Sequence, residues 1–185
     1  MKLWGQMAER SATHIWTMRA LYSTTCFAVI LFHLLPLGQI GWITFSPDII
    51  LCITLAWVVR RPEYAPILLI TAVALLADLL LMRVPGLWAA LVVLLADRIG
   101  RQRHRMRSTG FGVEWLRVSV GIGMLFILER FALNLLFVDR PPLPASILQL
   151  LATLIFYPVV VGVSAGVFRV RKPALIETAA SGRRA

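Results

Sequence analysis

Charge is scarce in this chain, and negative charge is scarcest. Of 185 residues only 15% are charged, with 9 Asp or Glu against 19 Lys or Arg, where soluble domains carry about a quarter. Hydrophobic residues make up 59%, with a mean hydropathy of +0.80, and a soluble fold of this length could not hide so much apolar surface. Only Cys26 and Cys52 carry thiols, both inside apolar runs and outside any CxxC or Cys/His cluster. Buried structural thiols are expected rather than a disulfide or metal ligands. GxSxG, HExxH and a phosphate-binding glycine loop are missing, and the 3 His residues are not paired for haem or zinc. Ser, His and Asp occur, yet no spacing sets a nucleophile beside a base. No enzymatic activity and no cofactor are expected. Strand-like alternation is missing too, so with lipid as solvent the runs are predicted to be helices rather than a closed barrel.

What is present is a succession of apolar runs at 20–40, 47–60, 65–82, 86–99, 114–138 and 145–168. The predicted fold is all-α, a single six-span transmembrane domain over 1–172 with a polar, disordered tail at 173–185. A basic start followed by the apolar stretch 26–37 has the look of a signal peptide. No A-x-A-like cleavage site follows, so a retained first span is expected. Runs two and four are short, and are expected to sit inside the bundle or to extend into their flanks. The six tryptophans lie mostly near the expected interfaces, as amphipathic anchors.

The segments between the runs sort by charge. Lys2, Arg10 and Arg19 precede run one, Arg60 and Arg61 follow run two, five arginines follow run four, and Arg169, Arg171 and Lys172 follow run six. The other connections hold one cation at most, Arg83 or Arg140. Every second connection is therefore basic, which puts both termini in the cytoplasm by the positive-inside rule. The net charge of +10 follows from that orientation, and nucleic acid is not an expected partner.

Within the apolar runs a few charges stand out. Asp78 lies about two-thirds of the way along run three, with Glu129 and Arg130 at comparable depth in run five, and His33 in run one near them. Each charge costs ~2.5–3.5 kcal/mol near a helix centre on insertion scales, so these groups should face the bundle interior. Pairing of Asp78 with Arg130 or Arg83 would offset part of the cost. The segment 98–107, carrying Arg98, Arg101, Arg103, Arg105 and Arg107, reads as a cytoplasmic loop held by anionic lipids, and as a dock for a cytoplasmic partner. Gly162 and Gly166, and Ser119 with Gly123, have small-xxx-small spacing that is expected to serve internal packing. Pro36 and Pro158 are expected to bend runs one and six, and Pro141, Pro142 and Pro144 to form a stiff outer turn.

The stretch 46–95 carries Ser46-Pro47-Asp48, Trp57, Arg60-Arg61-Pro62-Glu63, Leu75-Leu76-Ala77-Asp78-Leu79-Leu80 and Pro85-Gly86-Leu87. In these it resembles the rod shape-determining MreD family, most clearly over 40–100. Ala74, Ala77 and Leu81-Met82-Arg83 stand where that family often has glycines. The resemblance implies a non-enzymatic subunit of the elongation machinery in the bacterial inner membrane. Its expected partners are MreC, RodA with a class B penicillin-binding protein, and MreB filaments. The implied fold is similar to the substrate-binding subunit of energy-coupling-factor vitamin transporters, and a substrate-capture subunit is the alternative. Asp48, Arg60, Arg61, Pro62, Asp78, Pro85 and Gly86 are the positions that the resemblance makes sensitive, as partner or packing contacts.

Overall fold

The structure, a computed structural model, describes residues 2–35, 47–107, 110–138 and 142–166, without the side chains of 2–12 and 103–107. Among these the regular structure is all helical: α1 (Lys2–Leu34), α2 (Ile49–Arg60), α3 (Ile67–Leu80), α4 (Leu87–Arg107), α5 (Phe111–Leu135) and α6 (Leu143–Gly166). The segments Thr13–Leu34, Phe111–Leu135 and Leu143–Gly166 are each long and apolar enough to cross a membrane, while Ile49–Arg60 and Ile67–Leu80 are apolar but shorter. Their outward faces are apolar as well: Leu68 is 85% exposed, Ile127 70% and Ile155 70%. Such a surface marks contact with a membrane or with another protein.

The two short runs resolve in opposite ways. Helix α2 is apolar on every side, and that pattern belongs to a helix enclosed by others. It packs against α1, α4 and α6, and every residue from Leu51 to Arg60 is buried. At ~1.5 Å per residue its length is only ~18 Å. Around it Trp57, wholly buried, stacks obliquely on Tyr22 at 5.5 Å and edge-on to Tyr64 at 6.4 Å. Trp57 and the nearly buried Trp88 are therefore core residues, not interface anchors. Trp16 and Trp115 are exposed, and the side chains of Trp4 and Trp42 lie outside the description.

Run four instead extends. The expected basic loop at 98–107 is the continuation of α4, which runs without a break to Arg107. Arg, Gln and Met are good helix formers and Gly100 alone is no stop, so the helix proceeds from apolar to basic composition. An exposed i,i+4 ion pair of Arg101 with Asp97, 2.8 Å long, lies on that segment. Helix α1 likewise begins well before its apolar part, so that Arg19 lies on the helix and donates from Nε to the Glu63 carbonyl at 3.1 Å.

Helices α3 and α5 end alike. Met82 and Phe137 adopt φ of 55 and 52, and the next residue's amide returns to the carbonyl five back: Arg83 to Asp78 at 3.0 Å, Val138 to Leu133 at 3.1 Å. These are Schellman closures with a side chain in the left-handed position usually given to glycine. Pro144, expected in the turn, lies in the first turn of α6, where a missing N–H leaves nothing unsatisfied. Pro158 stands inside α6 and leaves the Leu154 carbonyl without its helical donor. The Trp115 indole N–H of α5 takes that place, at 3.2 Å. Pro36, Pro141 and the tail 173–185 lie outside the described residues.

Candidate functional site

At the end of the bundle where α2 finishes, the polar groups are sealed. Arg60 is the last residue of α2 rather than part of the turn after it, and it is 6% exposed. Its guanidinium pairs with Glu114 Oε1 at 3.2 Å and donates to its own helix at the Ala56 carbonyl, also at 3.2 Å. The same carboxylate oxygen accepts from the Tyr157 hydroxyl at 3.4 Å. Glu114 is wholly buried and sits in the first turn of α5, where the amide ends of the helix favour negative charge. One charge pair thus joins α2, α5 and α6. Arg61 and Pro62 are half-buried in the turn that follows, with Arg61 closing α2 through its amide to the Trp57 carbonyl at 2.7 Å.

Asp78 explains itself at the opposite end. Its Oδ2 accepts from the amides of Gly86 at 3.0 Å and Ala89 at 3.1 Å. Gly86 has φ +84 as the third residue of a turn closed by Leu87 N–H to the Val84 carbonyl at 3.2 Å. That geometry favours glycine there, with proline before it. The turn aims the first amides of α4 back at α3, and a carboxylate from α3 caps them across the turn. The expected ion pairs of Asp78 do not form: Arg83 pairs with Asp48, and Arg130 donates to Ser146 Oγ at 3.1 Å. A burial cost attributed to charge pairing is met instead by backbone donors of a helix start, whose dipole adds to the attraction.

Asp48 is a second junction. Oδ1 caps its own helix by accepting from the Leu51 amide at 3.0 Å, and Oδ2 pairs with Arg83 at 3.3 Å. Its backbone amide donates to Thr153 Oγ1 of α6 at 3.1 Å. Arg83 in turn lies 5.3 Å over the Trp88 ring, a cation–π contact.

Beside this junction a cleft of about 480 Å³ opens between the α3–α4 turn, α5 and α6. Asp48, Arg83, Glu129 and Arg130 supply its charges, and Ser146 and Gln149 its neutral polar groups. Trp88, Phe126, Leu133 and Leu150 are among its apolar walls. Glu129 forms no hydrogen bond or ion pair with the described residues.

The structure thus brings Asp48, Glu129 and Arg130 together at one cleft, caps a helix with Asp78 and buries Arg60 at the far end. His33, half-buried in the last turn of α1, does not line the cleft. The side chains of Arg103, Arg105 and Arg107 lie outside the description, and Arg98 and Arg101 are exposed. Among the described residues nothing stands within 4 Å of a Cβ added at Gly162, Gly166 or Gly123, so the expected close packing is not made by them there. Gly121 does that work: a Cβ there would stand 2.8 Å from Leu95 Cδ1. Cys26 and Cys52 are buried free thiols. Sequence reasoning passed over Glu114, although a lone acid at the start of an apolar run matches Arg60 in depth. Compared with protein-family models, with curated proteins and with solved structures, the chain finds no match.

Proposed function

We propose that this chain is a non-enzymatic scaffold subunit of the bacterial inner membrane, similar to MreD, with six spans and both termini in the cytoplasm. In this reading it holds MreC, RodA and a class B penicillin-binding protein in one assembly, with MreB filaments on the basic side. The fold would share its class with the substrate-binding subunits of energy-coupling-factor transporters. The short helix α2 is compatible with six spans because α1, α4 and α6 enclose it.

The observation that carries the reading is where the residues of the resemblance lie. Asp48, Arg60 and Asp78 are buried tie points between helices, and of the three only Asp48 touches the cleft. A capture motif would converge on a pocket, whereas a motif that sets the frame leaves the outer faces to partners. The apolar, exposed faces of α5 and α6 are such surfaces.

The cleft itself favours a second reading, a subunit that captures a small solute for a transporter, because four charged side chains meet there. Co-purification separates the two. Recovery of MreC or the wall synthase with the chain is the expected result, together with rounding of rod-shaped cells on depletion. A bound vitamin or an ATPase module, with unchanged shape and a nutrient requirement, would replace the scaffold by the transporter.

A further inference from the structure

We propose that the cleft beside Asp48 is a phospholipid site, selective for a headgroup that joins a phosphate to a protonated amine, as in phosphatidylethanolamine. This does not depend on the scaffold reading. It rests on the size, charge pattern and opening of the cleft.

The cleft's volume of about 480 Å³ lies inside the range of about 300–1,000 Å³ typical of small-ligand sites.

The charge pattern selects a zwitterion. Arg83 and Arg130 each present a guanidinium with several donors in a planar fork, the group best matched to phosphate oxygens. Arg83 uses one nitrogen on Asp48 Oδ2, and its side chain stays 32% exposed. Glu129 is half-buried at the same cleft without a hydrogen bond or ion pair among the described residues, and the charges acting on it are Arg83, Asp48 and Asp78. A carboxylate so placed attracts an amine and opposes a second anion. Among the described residues two arginines stand against Asp48 and Glu129 at the cleft, so an anionic headgroup would bring unbalanced charge to an apolar surrounding.

The opening favours a lipid over a free solute. Ile127 and Ile147 line the cleft and are 70% and 53% exposed, so the cavity leads sideways onto the apolar face of α5 and α6. Acyl chains lie along such a face while the headgroup turns inward. A polar solute gains nothing from it.

The test uses the full chain in mild detergent, mixed with equal amounts of phosphatidylethanolamine and phosphatidylglycerol and examined by native mass spectrometry. The wild type should retain one phosphatidylethanolamine in about tenfold preference, corresponding to ~1.4 kcal/mol. Glu129→Gln should abolish the preference, since the amine loses its partner. Gly123→Leu places a side chain where nothing stands within 4 Å, so it should fill the cleft and remove retention of both lipids; helical content and monodispersity check each fold. Equal retention of the two lipids by the wild type, or preference surviving in Glu129→Gln, would overturn the proposal. So would retention unaltered by Gly123→Leu, displacement of the lipid by glycerophosphoethanolamine alone, or a co-purified polypeptide in the cleft with no lipid.

Discussion

Two sets of arginines and carboxylates lie at opposite ends of one apolar bundle, and enclosure alone separates their behaviour. At the α2 C-terminus, Arg60 and Glu114 have side chains 7% and 0% exposed, and the pair is completed by Tyr157 and a backbone carbonyl. At the other end Arg83, Glu129 and Arg130 border a cleft of about 480 Å³. The first set has its partners within the protein and works as a clamp. The second includes Glu129, which has no hydrogen bond or ion pair among the described residues, and it borders open space. Chemically the groups are the same; what differs is whether three helices close over them.

The comparison breaks first at the clamp. Glu114→Leu leaves Arg60 buried without its counter-charge and should lower stability by about 3–5 kcal/mol, measured as the shift in unfolding on titration with a denaturing detergent. The double variant Arg60→Met with Glu114→Leu should recover most of that loss, because two apolar groups replace two desolvated charges. Equal instability of the single and double variants would show that the pair does not hold the three helices.

Asp78 lies between the extremes, buried like the clamp but bonded to backbone rather than to a counter-charge. Asp78→Leu strands the amides of Gly86 and Ala89 and should cost about 2 kcal/mol, although leucine is the better residue for a membrane. Asp78→Asn keeps one acceptor and should cost less. Hydrogen exchange at the start of α4 is the direct measure, and unchanged protection there in Asp78→Leu would remove the cap from the account.

The smallest effect belongs to the cleft. Glu129→Gln should change stability by no more than about 0.5 kcal/mol, even while it changes lipid preference. A loss as large as that of Glu114→Leu would make the open end a second clamp.

Much of the helical framework was legible in the chain. Continuous apolar runs separated by Arg-Arg-Pro and Pro-Gly marked the helices, and the lack of proline between 87 and 107, with Gly100 alone against the helix, could have extended α4 past the bilayer-length estimate. The Pro-Gly pair announced its turn because a left-handed third position favours glycine. Met82 and Phe137 did not announce theirs, since ordinary side chains occupy the same conformation where helix closure over-determines it.

The candidate site was legible in part. Depth matching set Asp78 beside Glu129 and Arg130 and offered it a charged partner, whereas its carboxylate bonds to backbone amides. Depth along a helix says nothing of rotation about it, and Asp78 is rotated toward a turn eight residues onward, not toward α5. For the same reason the glycine pair at 162 and 166 was assigned to packing while Gly121 makes the close approach.

Composition and run length by themselves determined the helices of the described residues and their apolar faces, because backbone polar groups in an apolar surrounding have no partner but their own helix. Only the tertiary structure decided which charge is a cap, which a clamp and which a site. Those roles depend on the donors that neighbouring helices present to each carboxylate, and on whether space is left between them.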